Sequence, residues 1–250
     1  MNSERITGLK VNITSMTHAL ETIEEWIGTK EAARHVVTAD ASMAVIARKD
    51  GCLRDIVEHA DLVTPDGAGI LWASRLLGRP IRDKVSGVDL VGELCRLSAE
   101  KKYTIFFLGA GPGVAEEAAT NLRAKYPGCC IVGWRDGYFG PDEDRTVAED
   151  IAQLHPDVLL VALGIPKQEK WINTYKDVVG AAVSIGIGGS FDVYSGRVSR
   201  APMWMQKHGL EWLYRLSKNP KKIAKVMTLP EFAMLTVLSK LGLPVVARSL

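Results

Sequence analysis

The chain has 250 residues, 47% of them apolar and 24% charged, with a net charge of +2. That length and balance suit one or two folded domains with a sizeable core, and exclude disorder, collagen-like repeats and a small disulfide scaffold. The longest uncharged stretch near the C-terminus, 232–239, is far short of the ~20 apolar residues a helix needs to span a bilayer. Charge is spread unevenly. Residues 1–196 carry 21 Lys/Arg and 27 Asp/Glu, whereas residues 197–225 carry eight Lys/Arg and one acid, Glu211. A basic stretch after an acidic body points to an anionic partner: a phosphate, a nucleic acid or a membrane surface.

In chain order, β-rich apolar runs alternate with helical patterns. A short strand near Leu9 precedes a helix over 16–27. Strands are then expected at 35–38, 60–64, 103–108, 129–134, 158–163 and 181–187, and helices at 42–49, 68–77, 88–101, 114–126, 143–154 and 168–177. Several strand runs are apolar without alternation, as in strands buried on both faces. The order predicts an α/β fold with a mostly parallel sheet and helices on both faces. The pattern changes after Gly189. No further strand is expected, and residues 203–216 and 231–241 read as helices. The expected division is a 1–195 catalytic body and a 196–250 basic, amphipathic helical appendage. In its first helix Met205, Leu210, Trp212, Leu213 and Leu216 share one face, and Lys207, His208, Glu211 and Arg215 the other. That surface suits a membrane interface, and an exposed apolar face also suits self-association. No RNA- or DNA-binding motif accompanies it, which argues against nucleic acid as the partner.

Ligands of open parallel sheets bind beyond the carboxyl ends of the strands. Four loops expected there are unusual: Thr64-Pro65-Asp66-Gly67-Ala68-Gly69, Gly109-Ala110-Gly111-Pro112-Gly113, Gly164-Ile165-Pro166-Lys167-Gln168-Glu169 and Gly186-Ile187-Gly188-Gly189-Ser190. Glycine lets backbone amides approach a ligand, and a helix N-terminus favours phosphate. Together they predict a nucleotide or phosphorylated ligand. The second loop alone suggests an NAD-type enzyme, with Asp136 as ribose-binding acid, but its spacing is not GxGxxG. Asp66 stands out as an acid in a turn at a strand end, where it is either a turn former or a catalytic group. Thr38 ends its strand in the same layer, and Gln168 lies in the first turn of a helix. Asp142-Glu143-Asp144 resembles a metal-binding DxD, yet after Pro141 it reads more simply as acids opening a helix. The histidines have no ligand spacing, and no metal is expected. Cys52, Cys95, Cys129 and Cys130 form no CxxC and read as reduced thiols, and the N-terminus lacks the apolar core of a signal peptide, so a cytoplasmic location is expected.

The strings at 64–69, 164–172 (Gly-Ile-Pro-Lys-Gln-Glu-x-Trp-Ile), 188–192 (Gly-Gly-Ser-Phe-Asp), 196–204 (Gly-x-Val-x-Arg-Ala-Pro-x-Trp) and 210–216 (Leu-Glu-Trp-Leu-Tyr-Arg-Leu) resemble those of the TagA/WecG/CpsF glycosyltransferases. The resemblance runs from about residue 9 to 226 and is strongest to the wall teichoic acid branch. It implies a Rossmann-like fold and a peripheral enzyme on the inner face of the cell membrane. The reaction it implies is inverting, metal-independent transfer of N-acetylmannosamine from its UDP donor to undecaprenyl-diphosphate-linked N-acetylglucosamine, in β-1,4 linkage. Donors carrying N-acetylmannosaminuronic acid or glucose are the alternatives. Asp66 is then the base, with Thr38 and Gln168 positioning the sugar or touching the donor phosphates. The glycine loops, through Gly109, Gly111, Gly188 and Gly189, offer amides to the diphosphate. Arg215, Lys222 and Lys225 are the candidate cations, and Tyr138 and Asp192 the candidate uridine contacts. Two positions depart from the family pattern. Asp40 stands where members often have Asn, which places a carboxylate at a binding position, and Lys222 and Lys225 stand in a run usually rich in Arg, losing arginine's two-pronged grip on phosphate.

Overall fold

The buried apolar runs lie side by side in a single six-stranded sheet whose strands all run parallel. The structure is a computed structural model and describes residues 2–207, 211–218 and 227–243, with only the backbone given at 206, 207, 212, 215, 216 and 218. The strands are β3 (Arg34–Ala39), β4 (Leu62–Pro65), β5 (Thr104–Gly109), β6 (Cys130–Arg135), β7 (Val158–Ala162) and β8 (Val183–Gly186), in the spatial order β4-β3-β8-β7-β5-β6. Before them, β1 (Ser3–Ile6) and β2 (Leu9–Asn12) form a separate antiparallel hairpin. The sheet expected to be mostly parallel is thus wholly so, and the expected strand near Leu9 has a partner.

Period-two alternation explains why the strands read as continuous apolar runs. Val36, Phe107 and Leu160 face one core with α1 (Met16–Thr29), α5 (Gly87–Lys101) and α6 (Val114–Lys125). Their neighbours turn to the opposite face. Val37 joins α2 (Ala41–Lys49), α3 (Gly51–His59) and α4 (Ala68–Leu77) there, while Phe106, Leu108, Leu159 and Val161 join α7 (Asp144–Ala152) and α8 (Lys167–Val179). Helix α3 is absent from the expected elements. Its signal is the spacing of buried Leu53, Ile56 and Val57, obscured because Asp50 ends α2 and its side chain caps α3 through the Leu53 amide.

After β8 come α9 (Ser190–Tyr194), α10 (Met203–Lys207), α11 (Glu211–Lys218) and α12 (Thr228–Lys240). The single helix expected over 203–216 is described as two, α10 and α11, with 208–210 outside the described residues. Helix α12 begins at Thr228, three residues before the expected start. It packs on α2 and α4 and buries Phe232 and Leu235 in their core, which contributes about 2 kcal/mol for each side chain. The second glycine of the Asp66-Gly67-Ala68-Gly69 run makes room for this. A Cβ on Gly69 would lie 3.0 Å from that of Ala41 and 3.7 Å from the Phe232 ring. Glu231 adds ion pairs to Lys49 at 3.3 Å and Arg48 at 3.6 Å. The last helix of the expected appendage is therefore seated on the body.

Candidate functional site

The strand order brings four sequence-distant segments to one carboxyl edge. Register sets Thr38 beside Thr64 and Ala39 beside Pro65, so the turn after β4 begins level with the end of β3. There the Asp66 amide donates to the Ala39 carbonyl at 2.8 Å. Gly67 follows with φ +87°, a conformation that favours glycine and turns the chain into α4. The Asp66 side chain accepts a hydrogen bond from the Gly87 amide at 3.2 Å. That amide belongs to the first turn of α5, whose positive dipole end favours a carboxylate.

Thr38 is buried, and its hydroxyl donates to the Gly186 carbonyl at 2.6 Å, tying β3 to β8 at the floor of the edge. Gln168 is 1% exposed and works as a clip. Its Oε1 accepts from the Gly164 amide at 3.2 Å and the Gly188 amide at 3.1 Å, and its Nε2 donates to Glu169 at 2.7 Å. The loops after β7 and β8 are thereby fixed to each other. Only glycine fits at 186, because a Cβ there would stand 2.6 Å from the Gln168 Nε2. Gly188 has φ +55° and an open Cβ position, and Gly189 precedes the first residue of α9. Asp40 caps α2, with its Oδ1 accepting from the Met43 amide at 3.0 Å and the Ser42 hydroxyl at 2.5 Å. That cap accounts for a carboxylate at this position without a ligand.

Gly109 ends β5, and Gly111 belongs to the loop after it. Gly109, at φ +112°, is held against β7, where a Cβ would come within 2.6 Å of the Ala162 carbonyl group. Gly111 has only Val114 near its Cβ position. Tyr138 is highly exposed, and its amide donates to Asp136 in a local turn, which occupies the acid that an NAD reading would assign to ribose. Asp142 and Glu143 lie in a 3-10 turn that leads directly into α7 at Asp144, and Glu143 accepts from the Gly140 amide at 3.0 Å. Asp192 lies in α9, its carbonyl accepting from the Val198 amide. Arg215 lies in α11, a side chain outside the described set; Lys222 and Lys225 lie outside the described residues altogether.

Three functional candidates were not singled out in the sequence: Glu169, Asp89 and Arg200. Glu169 is fully buried behind Gln168. Asp89 sits in the first turn of α5, where it accepts from the Ser86 hydroxyl at 2.6 Å and pairs with Arg200 at 2.7 Å. Burial raises the Asp89 pKa, but the Ser86 hydroxyl, Arg200 and Lys84 outweigh it and hold the carboxyl below its ordinary value. The signal for Asp89 was the Ser86-x-x-Asp89 spacing of a helix start. Arg200 was visible only as part of the Arg-Ala-Pro-x-Trp string. Nearby, Arg197 grips Glu117 of α6 through two hydrogen bonds of 2.7 and 2.8 Å. Among the described residues, no three His, Cys, Asp or Glu side chains gather as a metal site.

Comparison with known proteins gives a family. The model of the glycosyl transferase WecG/TagA/CpsF family matches residues 4–244. A Bacillus subtilis protein named N-acetylglucosaminyldiphosphoundecaprenol N-acetyl-beta-D-mannosaminyltransferase is 36% identical over 241 residues, 96% of this chain and 93% of its own. Proteins of the same name from Bacillus spizizenii and Staphylococcus aureus are 34% and 30% identical, covering 93% and 91% of this chain and 90% and 89% of theirs. With a family match spanning almost the whole sequence and relatives aligned end to end, the chain belongs to the WecG/TagA/CpsF family of glycosyltransferases.

Proposed function

We infer that the protein transfers N-acetylmannosamine from its UDP donor to undecaprenyl-diphosphate-linked N-acetylglucosamine, forming a β-1,4 bond in the linkage unit of wall teichoic acid. The name that the three relatives share supports the sugar transferred and the acceptor. The observation that carries the site is the Asp66 carboxylate, held by the Gly87 amide at the carboxyl edge of the sheet. In the reaction, Asp66 takes the proton of the acceptor hydroxyl as its oxygen forms a bond to the anomeric carbon. The bond from that carbon to the UDP oxygen breaks, and UDP leaves with its electron pair. The departing diphosphate is stabilised by amides of the glycine loops other than those of Gly164 and Gly188, which Gln168 holds, with Arg215, Lys222 and Lys225 supplying positive charge and no metal required. Tyr138 and Asp192 contact the uridine, and Thr38 fixes the floor beneath the sugar.

The acceptor's lipid tail supports action at a membrane surface, which we read as the cytoplasmic face. No described helix is long and apolar enough to cross a membrane. Met203, Trp204 and Leu213, exposed on α10 and α11, support surface attachment within the basic stretch, and would favour self-association when no membrane is present.

The test is a transfer assay in EDTA with UDP-N-acetylmannosamine and a lipid-diphosphate-N-acetylglucosamine analogue. Wild type is expected to yield UDP and the disaccharide lipid, and Asp66→Ala to yield neither. Product from UDP-glucose or the uronic acid donor alone would replace the donor, and undiminished product from Asp66→Ala would remove Asp66 as base.

A further inference from the structure

The first turn of α5 is a junction at which each residue holds a different part of the molecule. The Ser86 hydroxyl accepts from the Asp89 amide at 3.3 Å and so starts the helix. The Gly87 amide holds the Asp66 carboxylate. The Val88 carbonyl accepts from the Tyr194 hydroxyl of α9 at 2.9 Å. Asp89 holds Arg200, which follows α9 in the chain. Gly87 also fits closely against the loop after β8, where a Cβ would stand 3.1 Å from the Ile187 carbonyl and 3.3 Å from the Ser190 hydroxyl. The turn that orients Asp66 is thus packed against the β8 loop on one side and bonded to the chain leading into the basic stretch on the other.

We propose that Arg200 and Asp89 are positioning residues for Asp66: their ion pair fixes the first turn of α5, and with it the amide that aims the Asp66 carboxylate, only when residues 196–204 are docked on the body. The reading rests on Asp66 as the base. The pair is well placed for this role. Both side chains are about one third exposed, and Asp89 is bonded to the capping hydroxyl of its own helix. Among the described residues, Arg200 makes its ion pair with Asp89, through Nη2 at 2.7 Å, and its buried Nε has no hydrogen-bond partner. A misplaced base costs turnover more than binding, because proton transfer is more sensitive to a small displacement than ground-state contacts are. The consequence is a coupling between arm docking and catalysis: the base is correctly aimed only in molecules whose arm is seated.

The experiment measures kcat and the KM of each substrate for Arg200→Gln, Asp89→Asn and the double variant, with melting temperature alongside. Each single change is expected to lower kcat about tenfold with either KM within about twofold, and the double variant to fall no further than the singles, since both remove one interaction. Arg200→Lys, which keeps the charge on a single donor group, is expected to recover part of the lost kcat, and serves where Arg200→Gln does not fold. A rise confined to a KM would make Arg200 a substrate ligand and overturn the proposal. Losses that multiply in the double variant, or an unchanged kcat in both singles, would also overturn it. Asp66→Asn run in the same series separates the two readings: full activity there rejects the base itself, whereas its inactivity beside normal Arg200 and Asp89 variants rejects only the coupling.

Discussion

The two halves of the sheet's carboxyl edge use glycine-rich loops for different ends. On the β4-β3-β8-β7 side, loops are joined to one another by side chains: Asp66 to α5, Thr38 to Gly186, and Gln168 to both Gly164 and Gly188. On the β5-β6 side, Gly109 and Gly137 mark close approaches. Gly109 presses on Ala162, and a Cβ on Gly137 would stand 2.8 Å from Leu163. There Ala110 donates to the Ala162 carbonyl and Gly137 to the Ala110 carbonyl, both at 2.9 Å. A glycine loop is therefore ambiguous in sequence. It marks space beside the backbone where the Cβ position is empty, as at Gly188, and a close packing contact where it is filled, as at Gly109.

The largest expected effect falls on the first half. Asp66→Asn should lower kcat by about 10²–10⁴ while leaving the melting temperature near that of wild type, since its amide still reaches Gly87. A loss of stability equal to the loss of activity would make Asp66 a turn former only. Gln168→Ala comes next. It strips partners from two backbone amides and from buried Glu169, and should destabilise the fold by about 3 kcal/mol in denaturant titration as well as impairing transfer. Unchanged stability would mean the clip is not holding the loops.

The same half carries a buried titratable group. His35 on β3 is held neutral by burial, with Lys176 adding to the effect and Asp61 opposing it, so its pKa falls from 6.5 to about 4. The unfolded chain takes up this proton below about pH 6.5, and the folded chain only near pH 4. The His35 contribution to stability is therefore complete above pH 6.5, is lost as pH falls through that interval, by on the order of 3 kcal/mol, and changes no further below it. His35→Leu should flatten this part of the stability–pH curve. The curve below it would still descend, because Asp50, Asp89 and Asp157 have lowered pKa values in the fold. An unchanged slope in His35→Leu would assign the whole acid response to those carboxylates.

The smallest contrast separates the glycines themselves. Gly109→Ala meets both strain and a backbone clash, and should cost roughly 2–3 kcal/mol, whereas Gly188→Ala meets strain alone and should cost about 1 kcal/mol. Gly188→Ala should also disturb transfer more than its stability cost suggests, since its amide belongs to the fixed loop pair. Equal costs would remove the distinction between the two halves.

Much of this was legible in advance for reasons of local chemistry. Strands buried on two faces must be apolar throughout, so Phe106-Phe107-Leu108 and Leu159-Leu160-Val161 declared themselves. The Pro-Asp-Gly turn declared an acid at a strand end. Helix α3 escaped because one residue, Asp50, closes one helix and opens the next. Gly109 and Gly111 were grouped with the binding amides, and sequence carries no record that Ala162 opposes a Cβ at 109 while only Val114 lies near one at 111. Asp40 was grouped there too, yet an aspartate at a helix start is first of all a cap.

Composition, periodicity and motif strings by themselves determined the parallel α/β body, the loops that face its ligand edge, the basic segment after it and the resemblance to a glycosyltransferase family. Each of these follows from residues near one another in the chain. Tertiary structure decided the rest. The order β4-β3-β8-β7-β5-β6 alone sets residues 38, 66, 168 and 186 together, seats α12 on α2 and α4, and makes the start of α5 the meeting point of Asp66, Tyr194 and Arg200. Those contacts join residues far apart in sequence, and strand pairing and packing, which no local pattern encodes, choose which of them meet.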